Sequence, residues 1–220
     1  YLLTHLDGAW ALTLIHLRLA LIPLMLGLLV AVPLGALVHR HTALRRISTV
    51  TASIVFTIPS LALFVALPLI IPTRILDEAN VIVALTLYTV ALLVRAVPEA
   101  LDAVPAHILD AATAVGYTPL QRMAKIELPL ALPVLIANLR VVAVTNISMV
   151  AVGSVIGIGG LGTWFTEGYQ ADKSDQIVAG IIATFLLAIV IDSAIMLIGR
   201  TITPWQRATR TPRRATAVPA

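Results

Sequence analysis

The chain contains no cysteine, which excludes disulfide scaffolds and thiolate chemistry. Charge is scarce: 12% of the 220 residues are Asp, Glu, Lys or Arg, about half the share of an ordinary soluble domain. Lysine is nearly missing, with Lys125 and Lys173 alone, and no G-x-x-x-x-G-K-[ST] occurs. The chain therefore lacks the loop and lysine that cradle ATP phosphates. Its five histidines (His5, His16, His39, His41 and His107) form no H-E-x-x-H and no metal-ligand spacing with a carboxylate, so neither a metal site nor a catalytic site is expected. Aromatic residues make up 5%, too sparse to assemble a cage for a cationic solute from sequence. There is no basic n-region followed by a cleavage site, and a signal peptide is not expected.

What is abundant is apolar. Hydrophobic residues reach 59% and mean hydropathy is +0.98, values of an integral membrane protein. Uncharged runs at 19–38, 47–73, 79–94, about 130–156 and 176–199 predict five spans, the fourth and fifth interrupted by Arg140 and Asp192. Pro59, Pro68 and Pro72 predict kinks in the second, with Thr57 and Ser60 placed to satisfy freed carbonyls. Residues 1–18 mix polar and apolar groups and read as an amphipathic segment at the interface, anchored by Trp10. The transmembrane domain then covers 19–205. The segment 206–220 reads as a basic, disordered cytoplasmic tail.

The net charge of +4 follows topology and does not indicate nucleic acid. Eleven of the fifteen Lys and Arg residues fall in the first loop, the central stretch with its lead-in, and the tail. Only Arg18, Arg74 and Lys173 fall on the opposite side, and Arg140 lies within a span. That asymmetry puts the N-terminus outside and the C-terminus in the cytoplasm.

The central stretch, Pro105 to Pro129, is the polar interruption between spans three and four. Pro105 suits the first turn of a helix and Gly116 suits its C′ position. Thr118, Pro119 and Gln121 then spell the N-cap, N1 and N3 of a second helix to about Glu127, after which Leu128-Pro129 redirects the chain into the membrane. Ala112 and Gly116, four apart, predict a small-residue notch on one face.

The spacing Asp110-Ala111-Ala112, three residues, Gly116, nine residues, Ile126-Glu127-Leu128-Pro129 resembles the EAA signature of ABC-importer permeases, E-A-A-x3-G-x9-I-x-L-P. The single departure is Asp110 for Glu. His16-Leu17, Thr57-Ile-Pro-Ser-Leu-Ala62 and Gly157-Ile-Gly-Gly-Leu-Gly162 are similar to the osmoprotectant branch of those permeases, over about residues 14–205. The resemblance implies an all-α type I importer permease fold of about five transmembrane helices with a cytoplasmic coupling helix, in a prokaryotic inner membrane. It implies two ABC ATPase subunits holding the ATP and magnesium, a second permease subunit and an external binding protein. It also implies glycine betaine, choline, carnitine or proline betaine as solute. Carried over by position, Asp110, Ala111, Ala112, Gly116 and Leu120 would meet the ATPase. Ser60, Asn146, Ser148 and Met149 are candidates for the translocation path. Arg140 and Asp192 sit at similar depth, so they are expected either to pair or to snorkel separately. The alternative from another class is an ATPase-independent channel or secondary transporter, which would predict a repeat symmetry that the halves do not display.

Overall fold

The first uncharged run becomes, in the computed structural model, part of one long helix, α1 (Leu6–His39, 34 residues). The structure describes residues 5–205, so the whole of the expected basic tail at 206–220 lies outside the described residues. The boundary expected at residue 18 does not exist as a break. No Pro or Gly interrupts the chain there, and two of the polar groups that suggested an interface meet partners on other helices, one buried and one at the surface. His16 is fully buried with its Nε2 2.9 Å from the Ile147 carbonyl; Arg18 pairs with Glu78.

Along α1 small residues recur at Ala20, Gly27, Ala31 and Gly35, and this stripe faces α4 (Glu78–Asp102). A Cβ on Gly27 would sit 2.2 Å from Thr89 Cγ2, and one on Gly35 2.5 Å from Val97 Cβ. Backbone approach of this kind holds helices together where lipid removes the hydrophobic drive. α4 is accordingly the central helix, with 61% of its most apolar window buried. Its first turn is capped by Asp77, which accepts from the Ala79 N–H at 2.9 Å, and it continues past Arg95 to reach spanning length.

The second run is broken rather than kinked. α2 (Thr42–Thr57) ends before Pro59, and α3 (Ser60–Ala66) with its short continuation to Leu69 departs at 88°. Proline lacks the donor that would carry the ladder across this point. The Tyr88 hydroxyl donates to the Ile58 carbonyl at 2.5 Å, taking the role expected of Ser60. Thr57 does bond a carbonyl, that of Ile54, at 2.7 Å.

After α4 come α5 (Ala106–Ala114), α6 (Pro119–Arg122) and α7 (Leu128–Gly153). The expected redirection at Leu128-Pro129 is absent. A π-turn over Met123–Glu127 joins α6 to α7, and Leu128 N–H bonds the Met123 carbonyl five residues back. The wider turn carries the helix through Pro129, which has no N–H to give to the usual partner four residues back. Beyond α7 a glycine-rich turn leads to α8 (Thr163–Gln170) and α9 (Ser174–Ile202). Gly157 turns it with φ +81, and Gly160 lies against the α1 backbone at His16.

Among the described residues four helices are long and apolar enough to cross a membrane, and the α2–α3 pair makes a fifth span if counted as one. The main core lies under α3, with Leu19, Phe64, Leu85, Tyr88 and Ile147 buried together.

Candidate functional site

Two regions concentrate the polar chemistry. The first is the two-helix ledge made by α5 and α6. Gly116, at φ +95, closes α5: its N–H bonds the Thr113 carbonyl at 3.0 Å and the Tyr117 N–H bonds the Ala112 carbonyl at 3.1 Å. This is the Schellman pattern of a glycine C′. Thr118 then opens α6 with a reciprocal capping box, Gln121 N–H on its hydroxyl at 3.4 Å and its own N–H on Gln121 Oε1 at 3.0 Å. Two helix ends within three residues are thereby satisfied by the chain itself.

Ionic contacts fasten the ledge to the bundle. Arg122 bonds Glu127 through Nε at 2.8 Å and Thr113 through Nη1 at 3.0 Å, spanning α5, α6 and the π-turn. Glu127 is 3% exposed, and Arg122 is its partner there. Arg40, just past α1, donates to the Pro119 carbonyl at 3.0 Å. His39 and Arg45 both reach the Asp102 carboxylate, at 2.9 and 2.6 Å.

Asp110, Ala111, Gly116 and Leu120 are exposed on this ledge, as is Val115. Ala112 is not: it is 8% exposed and faces inward. The expected Ala112–Gly116 notch is therefore replaced by an open surface at Gly116, where a Cβ would meet nothing within 4 Å.

The second region is the face shared by α7 and α9. Arg140 and Asp192 meet as a two-pronged pair, Nε to Oδ1 at 2.7 Å and Nη2 to Oδ2 at 2.6 Å. Each is about one-third exposed, at 35% and 31%. Ser148 is exposed and lines a cavity on this face. Two other path candidates point elsewhere. Asn146 is 1% exposed; its amide donates to Thr89 Oγ1 at 3.0 Å and the Ala20 carbonyl at 3.3 Å, joining α7 to α4 and α1. Met149 packs against the main core. Both lie on the α7 face that turns toward α1 and α4. Ser60 opens α3 at the 88° break, half-buried.

Sequence reading missed Arg40, the Arg122–Glu127–Thr113 contacts and Phe165 and Phe185, which line the cavity beside Asp192. Phe185 and Asp192 are seven apart, two turns along one helix face, which is the signal that was present.

Residues 12–207 match the family of binding-protein-dependent transport system inner membrane components. The chain is 35% identical over 197 residues to the osmoprotectant import permease protein OsmW of Salmonella typhimurium, covering 87% of this chain and 90% of that one. It is 33% identical over 189 residues to the choline transport system permease protein OpuBB of Bacillus subtilis, covering 86% of each. It is 32% identical over 189 residues, again 86% of each, to the glycine betaine/carnitine/choline transport system permease protein OpuCB of Bacillus subtilis. Among solved structures, a chain of the inward-facing MetNI methionine ABC transporter superposes with a TM-score of 0.76 at 25% identity, covering 90% of this chain and 95% of that chain.

Proposed function

The chain belongs to the family of binding-protein-dependent transport inner-membrane components, and from that premise we propose that it is the permease subunit of an ATP-driven importer of osmoprotectants, coupled to its ATPase through the α5–α6 ledge. The named relatives handle osmoprotectants, choline, glycine betaine and carnitine, and a solute of that class is the cargo assigned to this chain. ATP and magnesium belong to a separate ATPase subunit. An external binding protein delivers the solute, and a second permease subunit, identical or paralogous, completes the path. The charge asymmetry supports an external N-terminus and a ledge on the cytoplasmic side.

The observation that carries the coupling role is the construction of the ledge. Its two helix ends are capped internally, its base is tied to α1 by Arg40 and to the π-turn by Arg122, and its outer surface presents Asp110, Ala111, Gly116 and Leu120. A rigid ledge transmits force where a mobile loop would absorb it. Closure of the ATPase subunits moves the ledge, and the continuous helix running from α6 through the π-turn into α7 carries that motion into the membrane.

Tagged chain, extracted mildly from the membrane, is expected to bring an ABC-type ATPase with it. Asp110→Arg is expected to abolish both co-purification and solute uptake while the permease still inserts. Uptake that persists with Asp110→Arg, or that needs no ATP, removes the coupling assignment and favours a channel or secondary transporter.

A further inference from the structure

Two clefts open on the α7–α9 face, and the Arg140–Asp192 pair lies between them. The cleft toward α8 has a volume of about 550 Å³ and takes Ser148 from α7, Phe165 from α8, and Thr184, Phe185 and Asp192 from α9. That size is within the range of small-molecule sites. The cleft toward the ledge, about 300 Å³, is lined by Arg140 together with Arg200 and Thr203.

Three features mark the larger cleft. Two of the four phenylalanines in the chain line it. The Phe165 ring is seated on Gly180, with ring carbons 2.8 Å from where a Cβ would stand, so a side chain at 180 would displace it. The Thr184 hydroxyl is shielded from solvent and makes no hydrogen bond among the described residues. Thr86 and Thr145, on α4 and α7, bond the carbonyl four residues back at 2.7 and 2.9 Å, the usual arrangement for a helical threonine.

Aromatic faces beside a carboxylate are the chemistry that holds a quaternary ammonium. Asp192, however, already gives both oxygens to Arg140. A cation entering alone would leave the guanidinium unpaired at a depth where an isolated charge is costly. A zwitterion avoids that. Its carboxylate takes over the two-pronged contact on Arg140 while its ammonium rests against Asp192, so every charge keeps a partner.

We infer that the larger cleft is a transit site for trimethylammonium carboxylates, with Phe185 and Asp192 receiving the cationic end and Arg140, at the border with the smaller cleft, the carboxylate. The inference rests on the importer reading above and narrows it: solutes of the glycine betaine type are favoured over choline inside the permease, apart from any choice made by the binding protein.

The test uses the intact permease–ATPase complex in nanodiscs without binding protein, with radiolabelled glycine betaine and choline as probes. Glycine betaine is expected to bind, with choline weaker by about tenfold. Phe185→Leu is expected to weaken glycine betaine by about tenfold, and Phe185→Trp to retain it, because the aromatic face and not bulk is at work. The neutral pair Arg140→Gln with Asp192→Asn is expected to erase the preference between the two probes. Phe185 is 64% exposed, so neither substitution disturbs the core, and a monodisperse complex confirms assembly. Equal binding of both probes, no binding of either at tens of millimolar, or equal affinity with Leu and Phe at 185 overturns the inference. Uptake by the complete importer separates the two readings. If glycine betaine is still imported, only the transit site falls; if no trimethylammonium solute is imported, the osmoprotectant assignment falls with it.

Discussion

Gly116 shows how one residue serves both the ledge and its contact surface. Its φ of +95 lies where a Cβ is strained, so Gly116→Ala is expected to cost about 1 kcal/mol. In a protein of this size that lowers the melting temperature of the detergent-purified permease by about 2–4 °C. Nothing within the chain lies inside 4 Å of the Cβ position, so Gly116→Trp should melt close to Gly116→Ala. The two are expected to part in ATPase association, which Ala retains and Trp loses. A Trp variant that melts well below the Ala variant would show that the space around residue 116 is closed by the permease itself. This position was legible in the sequence because a glycine two residues before Thr-Pro-Leu-Gln is written in local chemistry alone. Ala112 was not, because four-residue spacing fixes a shared helix side but not which side the bundle covers.

At the scale of elements, the joint between α5, α6 and α7 depends on one cation. Arg122 satisfies a carboxylate that is 3% exposed and also holds the Thr113 hydroxyl. Arg122→Met leaves Glu127 without a partner and is expected to cost about 2 kcal/mol, the penalty of an orphaned buried acceptor. Glu127→Gln removes the charge, so the double variant should recover part of the loss, and the thermal-melt cycle over the four proteins measures the coupling. If the two single losses simply add in the double variant, the pair is not what fixes the joint. The elements themselves were readable where the signal was long and apolar, as in α4, α7 and α9. They were misread where a tertiary partner decided the outcome. His16 and Arg18 looked interfacial because the sequence does not disclose that Ile147 and Glu78 wait for them. Leu128-Pro129 looked like a change of direction because the π-turn that absorbs the proline has no sequence signature of its own.

For the whole molecule the Arg140–Asp192 pair ties α7 to α9, the least buried of the four long apolar helices, at 6% of its most apolar window. Gln176 bonds Glu167 of α8 at 2.9 Å, and Asp192 supplies an ionic link to α7 along the helix middle. Arg140→Asp sets two carboxylates together and Asp192→Arg two cations, and each is expected to lose most of the inserted, assembled protein. The double swap restores one charge of each sign and should recover most of that loss, as read by monodisperse yield from the membrane. Uptake is expected to stay low. The swapped cation would stand on α9 beside Phe185, where the ammonium of the solute is received, and the carboxylate on α7 would face the carboxylate of the solute. A swap that recovers both yield and uptake would make the pair a brace alone, whereas one that recovers neither would mean that the geometry of the two-pronged contact, and not its charge balance, holds α9 in place.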